Sequence, residues 1–512
     1  MENLNWPAAS VFIFFFILVT VVGFAASRWR AADLNHINEW GLGGRSFGPI
    51  ISWFLIGGDL YTAYTVIAIP SVVYAVGAYG FFAVPLAALA YPLLYIAYPR
   101  LWNVSAKKGY VTAGDFVIGR YGNKWLELAI ALTGVIAVMP YIALQLVGME
   151  KVIQALGFHG EGFVGHLPLT IAFIILALYT YKAGIRAPAM IAFVKDIMIY
   201  IFVIAAVIIV PYELGGFGSM FDAANKVFAT KGAGAGLTLG PGQSVPFVTL
   251  IIGTSLSLFL YPHMMTGILA SSSGESIRKN AYALPAYAIL LGLIALLGIM
   301  AHAAGIVVTN PQDSVPQLFL KMFPSWFAGF AFAAIAIAAL VPAAIMSIGA
   351  SNTFTRNIWK PFVNPNMSER QEAFMAKILS MVVKFGALFV ILFMPTKFAL
   401  DLQLLGSIWM IQVFPAIVFG LWTRWFSGWA LLAGWIAGMI VGTVLAWGPT
   451  SWVTVHPVFD FGFSAYIGFL AVLANIAVAV LLSAILPNTA NDETRPSDYE
   501  DAGAPAKAVA GH

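Results

Sequence analysis

Long apolar runs separated by short polar clusters pattern this chain from one end to the other. Crossing a bilayer as a helix takes about 20 predominantly apolar residues, and runs of that kind predict about thirteen spans. Their approximate limits are Ala8–Ala26, Gly48–Val73, Tyr79–Tyr98, Leu126–Val147, Phe163–Tyr181, Ala187–Val210, Val245–Ala270, Ala281–Val308, Phe327–Phe354, Phe374–Met394, Phe398–Trp422, Ser427–Trp447 and Phe463–Leu486. The basic residues test this pattern independently. Odd-numbered loops carry Arg28, Arg30, Arg45, Arg100, Lys107, Lys108, Arg120, Lys124, Lys182, Arg186, Arg278, Lys279, Arg356, Lys360, Arg370 and Arg424, whereas the intervening loops carry Lys151, Lys226, Lys231, Lys321 and Lys397. Missing or inventing one span would scramble that alternation. Because Lys and Arg gather on the cytoplasmic side, the chain is expected in the cytoplasmic membrane with its N-terminus outside, its C-terminus inside and an odd number of spans. The first run has Glu2 before it and Arg28 and Arg30 after it, the reverse of a signal peptide, which predicts a retained helix.

Composition fits a lipid solvent. Hydrophobic residues make up 61% of the 512 positions and charged residues 9%, with a mean hydropathy of +0.88; a soluble surface needs about 25% charged residues. The net charge of +4 therefore reports orientation in the membrane rather than nucleic-acid binding. Absence of cysteine excludes a disulfide framework, a Cys-ligated metal and a thiol nucleophile. The segment from Pro487 to His512 is rich in Pro, Ala, Asp and Glu without an apolar pattern, and is expected to be a disordered tail behind a single transmembrane domain over 1–486. No loop is long enough for a nucleotide-binding domain and no Walker A motif is present, which excludes pumping driven by ATP within this chain. A channel would need rings of charge or carbonyl-bearing pore loops, which are not evident. A membrane enzyme would need a catalytic constellation, yet HExxH and GxSxG are missing and the histidines are scattered. What remains is a carrier that moves a small solute on an ion gradient, with no cofactor and no catalytic residues.

Transporters commonly bind at mid-membrane, where helices in corresponding positions of an inverted repeat are interrupted. Two interruptions fit. The second run holds Ile56-Gly57-Gly58-Asp59-Leu60-Tyr61-Thr62, adjacent glycines and a carboxylate in mid-span. The seventh holds Gly253-Thr254-Ser255-Leu256-Ser257 and then Tyr261-Pro262-His263, hydroxyls ending in a helix-breaking proline. They lie five spans apart, as an inverted five-helix repeat requires. Glycines in membrane helices also serve close packing alone, the role expected for Gly434, Gly438 and Gly442; beside Gly57 and Gly58 an ionisable Asp59 favours function. His263 is equally readable as the cap of a broken turn, and His302, near a helix end, as a structural group.

At these residues the chain resembles the sodium:solute symporter family, whose members carry proline, sugars, pantothenate and acetate. Leu42-Gly43-Gly44-Arg45-Ser46-Phe47-Gly48 is similar to the family's G-G-R-S-hydrophobic-G lead into the first core helix. Val111-Thr112-Ala113-Gly114-Asp115-Phe116 with Arg120-Tyr121-Gly122 is similar to its T-x-x-D-F…R-Y-G loop, and Pro262-His263 to a P-H in the sixth core helix. Ala343-Ala344-Ile345-Met346-Ser347, followed by Thr355-Arg356-Asn357-Ile358-Trp359, resembles A-A-x-M-S…T-R-D-I-Y. The resemblance implies an all-α, LeuT-like five-plus-five inverted repeat with one helix before and two after, the repeats at about 46–213 and 245–422. It also implies a sodium ion between the first and eighth core helices, held by carbonyls of Gly57, Leu60 and Ala344 and by the Ser347 hydroxyl. Asp59 and Asp196 match intramembrane carboxylates that serve the family's ion coupling.

Two departures bear on the coupling ion. The family usually places a second Ser or Thr after the Ser347 position, where this chain has Ile348, and its Thr-Asp pair in the fifth core helix has become Lys195-Asp196. Lys195 lies eight residues beyond Ala187, about 12 Å into a roughly 30 Å core. Burial disfavours the charged form of an ammonium, so Lys195 is a candidate to shed and regain a proton; with the oxygen lost at Ile348 this favours H+ coupling, or a weakened sodium requirement, over the Na+ coupling that the resemblance implies. The alternative is a static ion pair with a carboxylate on a neighbouring helix; Asp196 is not expected to be that partner, because adjacent helix residues point in different directions. Within the family, the Ser-Ile-Gly-Ala-Ser-Asn stretch and the Tyr-Pro-His variant look most like the branch carrying short monocarboxylates, with an amino acid, sugar or vitamin as the alternative. Helix N-termini at the breaks suit an anionic carboxylate, and the expected substrate residues are Gly58, Tyr61, Thr62, Ser255, Ser257 and Tyr261.

Overall fold

The computed structural model describes residues 4–29, 33–158, 167–232, 234–393, 405–448, 452–458, 462–488 and 491–501; Arg30, Lys397 and the last eleven positions of the expected tail lie outside them. The apolar runs become helices. Among the described residues eight helices are long and apolar enough to cross a membrane, and a ninth crossing is a pair bent by 56°. Shorter apolar helices, among them Pro49–Gly58, Tyr64–Val76 and Leu167–Ala183, occupy further predicted runs.

The first helix, α1 (Trp6–Ala25), begins where the Asn5 side chain accepts from the Ala8 N–H at 3.3 Å. Then come α2 (Pro49–Gly58) and α3 (Ile69–Val76), separated by a turn at 59–62 and one wide turn over Tyr64–Ala68. Helices α4 (Ala83–Ile96), α5 (Tyr98–Lys108) and α6 (Ala113–Tyr121) lead to the long α7 (Lys124–Ala155), α8 (Leu167–Ala183) and α9 (Arg186–Glu213). After α10 (Phe217–Phe228), the bent crossing is formed by α11 (Ser244–Ser257) and α12 (Pro262–Leu269). The rest comprises α13 (Gly274–Ala283), α14 (Pro285–Ala303), α15 (Ser325–Phe354), α16 (Glu369–Phe393), α17 (Leu405–Leu421), α18 (Gly428–Ala446) and α19 (Ile467–Ile485).

Composition decides which helix lies at the centre. Helix α15 is dominated by Ala, Gly and Ser, so neighbouring backbones approach it closely, and it is buried along almost its whole length against α1, α7, α9 and α16. Small residues do the same where α18 meets α19 and α17: a Cβ on Gly434 would lie 2.6 Å from the Asn475 carbonyl oxygen of α19, and one on Gly438 2.0 Å from Gln412 Oε1 of α17.

The two broken crossings are tied at both ends. Near the start of α2, the Phe47 N–H donates to the Ala270 carbonyl (3.2 Å) and the Ser272 N–H to the Phe47 carbonyl (2.8 Å), so α2 and the end of α12 share one face of the molecule. At the other end of α3, the Ala78 N–H donates to the Gly236 carbonyl at 2.7 Å. Gly77 needs its φ of +76° there, and a Cβ would sit 2.0 Å from that carbonyl oxygen.

The acidic segment after α19 departs from its sequence pattern. Disorder is expected from Pro487 onward, whereas residues 491–501 lie against the face formed by the ends of α5, α6 and α17, and Tyr499 is 5% exposed. Low hydrophobicity predicts disorder when a segment has nothing to bind. Here a row of Lys and Arg side chains supplies what its own composition does not.

Candidate functional site

Both crossings break at mid-height, for different local reasons. In the first, α2 ends at Gly58 and the chain turns through Asp59–Thr62, so the break falls just after the glycine pair. The Gly57 carbonyl accepts from the N–H groups of Leu60 (2.9 Å) and Tyr61 (3.3 Å), which tightens the last turn and stops the α-helical ladder. In the second, Tyr261 has φ −57° and ψ 142°, the extended conformation imposed on a residue before proline.

Lys195 and Asp196, on α9, face the first break. The Lys195 ammonium donates to the Gly58 carbonyl at 2.6 Å and the Tyr61 carbonyl at 2.9 Å, and stands 2.7 Å from Asp196 Oδ1; both side chains are fully buried. The expectation that Asp196 is not the partner is therefore corrected. Adjacent Cα–Cβ bonds do diverge, but the four-carbon lysine stem bends across one helix position to the neighbouring carboxylate. Asp196 Oδ2 in turn accepts from the Tyr287 hydroxyl at 2.5 Å, and the Tyr61 hydroxyl donates to the Tyr287 carbonyl at 2.8 Å. Both glycines permit this crowding. A Cβ on Gly58 would lie 3.2 Å from Asp196 Oδ2 and 3.3 Å from Lys195 Nζ, and one on Gly57 would lie 2.4 Å from the Tyr287 ring. Gly57→Ala is accordingly expected to cost about 1–3 kcal/mol by overpacking and to push the Tyr287 ring away from Asp196. The measurement is the maximal uptake rate at equal membrane abundance, expected to fall severalfold; wild-type kinetics would show that the ring yields without consequence.

Asp59 faces the other way, toward a cavity of about 280 Å³ between the two breaks. Its Oδ2 lies 3.8 Å from His263 Nε2, so His263 meets a carboxylate rather than capping its own turn. Asp59 Oδ1 and His263 Nδ1 have no hydrogen-bond partner among the described residues, and both side chains are buried. The His263 ring stands between Tyr141 and Tyr261, at 5.5 and 5.4 Å between centroids. From this polar end the cavity runs past Tyr64, Thr65 and Thr254 to Tyr79, Phe82 and Thr454 on the face opposite the 491–501 segment.

Of the expected substrate residues, Tyr61, Ser257 and Tyr261 line this cavity, and the Tyr261 hydroxyl is 3.0 Å from Ser407 Oγ. Gly58, Thr62 and Ser255 are not among its lining residues: Thr62 bonds within the turn to Thr65, and Ser255 donates to the carbonyls of Leu86 and Ile251. Each of the four expected sodium ligands has a protein partner. Besides Gly57, the Leu60 carbonyl accepts from Thr65 Oγ1 (2.6 Å) and the Ala344 carbonyl from Ser347 Oγ (2.7 Å). Ser347 Oγ also lies 3.2 Å from Ser380 Oγ, on which the buried Lys384 ammonium sits at 2.7 Å.

Lys384, Tyr141, Tyr64 and Ser407 are not singled out by the sequence, and Thr254, part of the second interruption, takes the place in the lining that was expected for its neighbour Ser255. Lys384 carried a signal, a cation ten residues into the apolar run from Phe374 to Met394 and deeper in it than Lys377. The tyrosines carried none, since an aromatic residue in a membrane helix reads first as packing.

The likeness to known proteins runs over most of the chain. Residues 40–442 match the sodium:solute symporter family. A monocarboxylate transport permease protein of Rhizobium johnstonii is 60% identical over 488 residues, covering 95% of this chain and 98% of its own. An uncharacterized symporter of Bacillus subtilis is 33% identical, covering 95% of each chain. Among solved structures, a Na+-coupled sialic acid symporter in a substrate-bound, outward-open state matches with a TM-score of 0.76 at 14% identity, over 94% of this chain and 98% of its own, a likeness of LeuT-type fold. The motifs, the paired breaks and the match over residues 40–442 agree, and the chain belongs to the sodium:solute symporter family.

Proposed function

We propose that this symporter carries a short monocarboxylate together with a proton, by alternating access in the cytoplasmic membrane, with the N-terminus outside and the C-terminus inside. The observation that carries the reading is the Lys195 ammonium seated on the Gly58 and Tyr61 carbonyls. A cation bound to backbone oxygens at a helix break is what a coupling ion provides in this architecture, and here a side chain provides it. While protonated, Lys195 holds the break against α9 through both carbonyls and Asp196. Once it releases its proton the attraction to Asp196 is gone, and α2 and α3 are free to shift against α9. Ile348, which contributes no oxygen beside Ser347, weakens the alternative cation site.

The solute reading rests on the cavity and on the name of the 60% identical relative. About 280 Å³ lies at the small end of ligand sites, and the walls are aromatic with a few hydroxyls. The N-terminal turn of α12, at His263 and Met264, lines the cavity with the positive end of a helix dipole, which suits a carboxylate. Orientation rests on the alternation of basic loops, and the two repeats are taken as about 46–213 and 245–422.

Sodium coupling is the second reading, favoured by the family's usual ion, and would use Gly57, Leu60, Ala344 and Ser347. Proteoliposomes with a pH gradient and a sodium gradient imposed separately distinguish the two, with labelled pyruvate as solute and competition by acids, sugars and amino acids. The pH gradient alone is expected to drive accumulation and short acids to compete. Accumulation driven by sodium alone and indifferent to pH would overturn proton coupling, and competition by sugars or amino acids instead of acids would overturn the solute assignment.

A further inference from the structure

Residues 491–501 carry five acidic side chains against one arginine, and they dock on two groups of cations that belong to different parts of the fold. The first group prolongs the opening helices of the repeats. Lys107 and Lys108, at the end of α5, donate to the carbonyls of Glu500 (3.2 Å) and Glu493 (2.6 Å), and Lys108 lies 3.5 Å from Asp498. Asn103 donates to Asp501 Oδ1 at 2.9 Å, and Arg278 on α13 pairs with the other oxygen of Asp501 at 2.8 Å. The second group stands at the end of α17. Arg120 donates to the carbonyls of Gly420 and Thr423, which fixes it to that end, and pairs with Asp492 at 2.8 Å. Arg424 stands 3.2 Å from the same Asp492 oxygen and donates to the Thr494 carbonyl at 2.8 Å. Between the two groups, Tyr499 is buried with Arg100 over its ring at 5.5 Å.

In an inverted-repeat carrier the first two helices of each repeat rock against the remainder, and opening on one side means separating those parts there. Helices α5 and α13 belong to the rocking part, while Arg120 and Arg424 are held to α17. A segment bonded to both spans the seam that has to part. The cavity reaches the opposite face, so the segment is engaged while its own side is shut.

We infer that residues 491–501 form a cytoplasmic strap whose acidic side chains tie the rocking helices to the rest of the fold, hold the cytoplasmic side closed, and must release before the carrier opens inward. Arg120 is buried, but Lys108, Arg278 and Arg424 and their acidic partners are partly exposed, so salt weakens the attraction as a whole. The inference does not depend on which ion or solute is carried, and it is tested without either.

The chain has no cysteine, so single reporters are clean. Thr266→Cys, on α12, reports the cytoplasmic half by maleimide labelling from that side, and Thr454→Cys reports the outer mouth by labelling from outside. Ending the chain after residue 488, or combining Asp492→Asn with Asp501→Asn, is expected to speed labelling at position 266 about tenfold, a shift of ~1.4 kcal/mol, and to slow labelling at 454. The opposite response at 454 separates a shifted equilibrium from mere uncovering. About 1 M salt, where the screening length is ~3 Å, should speed labelling at 266 in the full chain and leave the shortened chain unchanged. Exchanging the Arg278–Asp501 pair, Arg278→Asp with Asp501→Arg, should restore slow labelling relative to Arg278→Asp alone. Should the shortened chain fail to reach the membrane, the double Asn variant decides. Full-chain labelling rates at both positions in that variant, or no recovery in the exchanged pair, would overturn the strap.

Discussion

Lys195→Thr is expected to reduce uptake driven by a pH gradient by a factor on the order of a hundred. The substitution removes the ammonium from two carbonyls and leaves Asp196 buried without its cation. Breaking a buried pair from one side costs about 3–5 kcal/mol, or roughly two to four powers of ten in an equilibrium. Threonine also restores the Thr-Asp pair usual in the family, so the remaining uptake should respond to sodium. Lys195→Arg separates titration from a static ion pair, because arginine keeps the charge and does not release its proton in a protein. If Lys195 works by shedding a proton, the arginine variant is as defective as the threonine one. Normal uptake in the arginine variant would assign the lysine a structural role, and uptake driven by sodium alone that survives Lys195→Thr would remove it from coupling.

The second large effect is expected at Asp59. Its carboxylate is 3% exposed at the inner end of the cavity, one oxygen 3.8 Å from His263 and the other without a hydrogen-bond partner among the described residues. An unpaired carboxylate at mid-membrane costs several kcal/mol and persists for a function. An anionic solute arriving beside it would be repelled unless a proton came too. Asp59→Asn keeps the shape but cannot take up that proton, so uptake should fall at least about tenfold, the change that 1.4 kcal/mol produces, while membrane insertion stays normal. Wild-type uptake with unchanged ion dependence in this variant would exclude Asp59 from coupling.

The linear pattern of this chain determined the apolar spans, the alternation of basic loops and both places where a crossing breaks. Each of these is a local property. A span is a run of apolar residues, and a break is a Gly-Gly-Asp step or the extended residue that Pro262 demands of Tyr261. The motifs that carried the family resemblance are equally local, which is why they were legible without a fold. Tertiary structure alone decided what the buried polar groups meet. Lys195 reaches carbonyls 137 and 134 positions away, Tyr287 reaches Asp196 across 91, and Asp59 finds His263 from the other broken crossing. Spacing along one helix says which way a Cβ points, but not where a flexible stem ends; the expectation against Asp196 failed because the Lys195 stem, drawn to the carbonyls of the first break, bends back to the carboxylate beside it on its own helix. Lys384 illustrates the same limit, since its neighbours Ser380 and Ser347 lie on two helices whose contact is set by packing around α15. The acidic C-terminal segment is the clearest case. Its composition predicts disorder, and its order comes from lysines and arginines gathered from four separate stretches of chain, a surface that exists only once the helices have assembled.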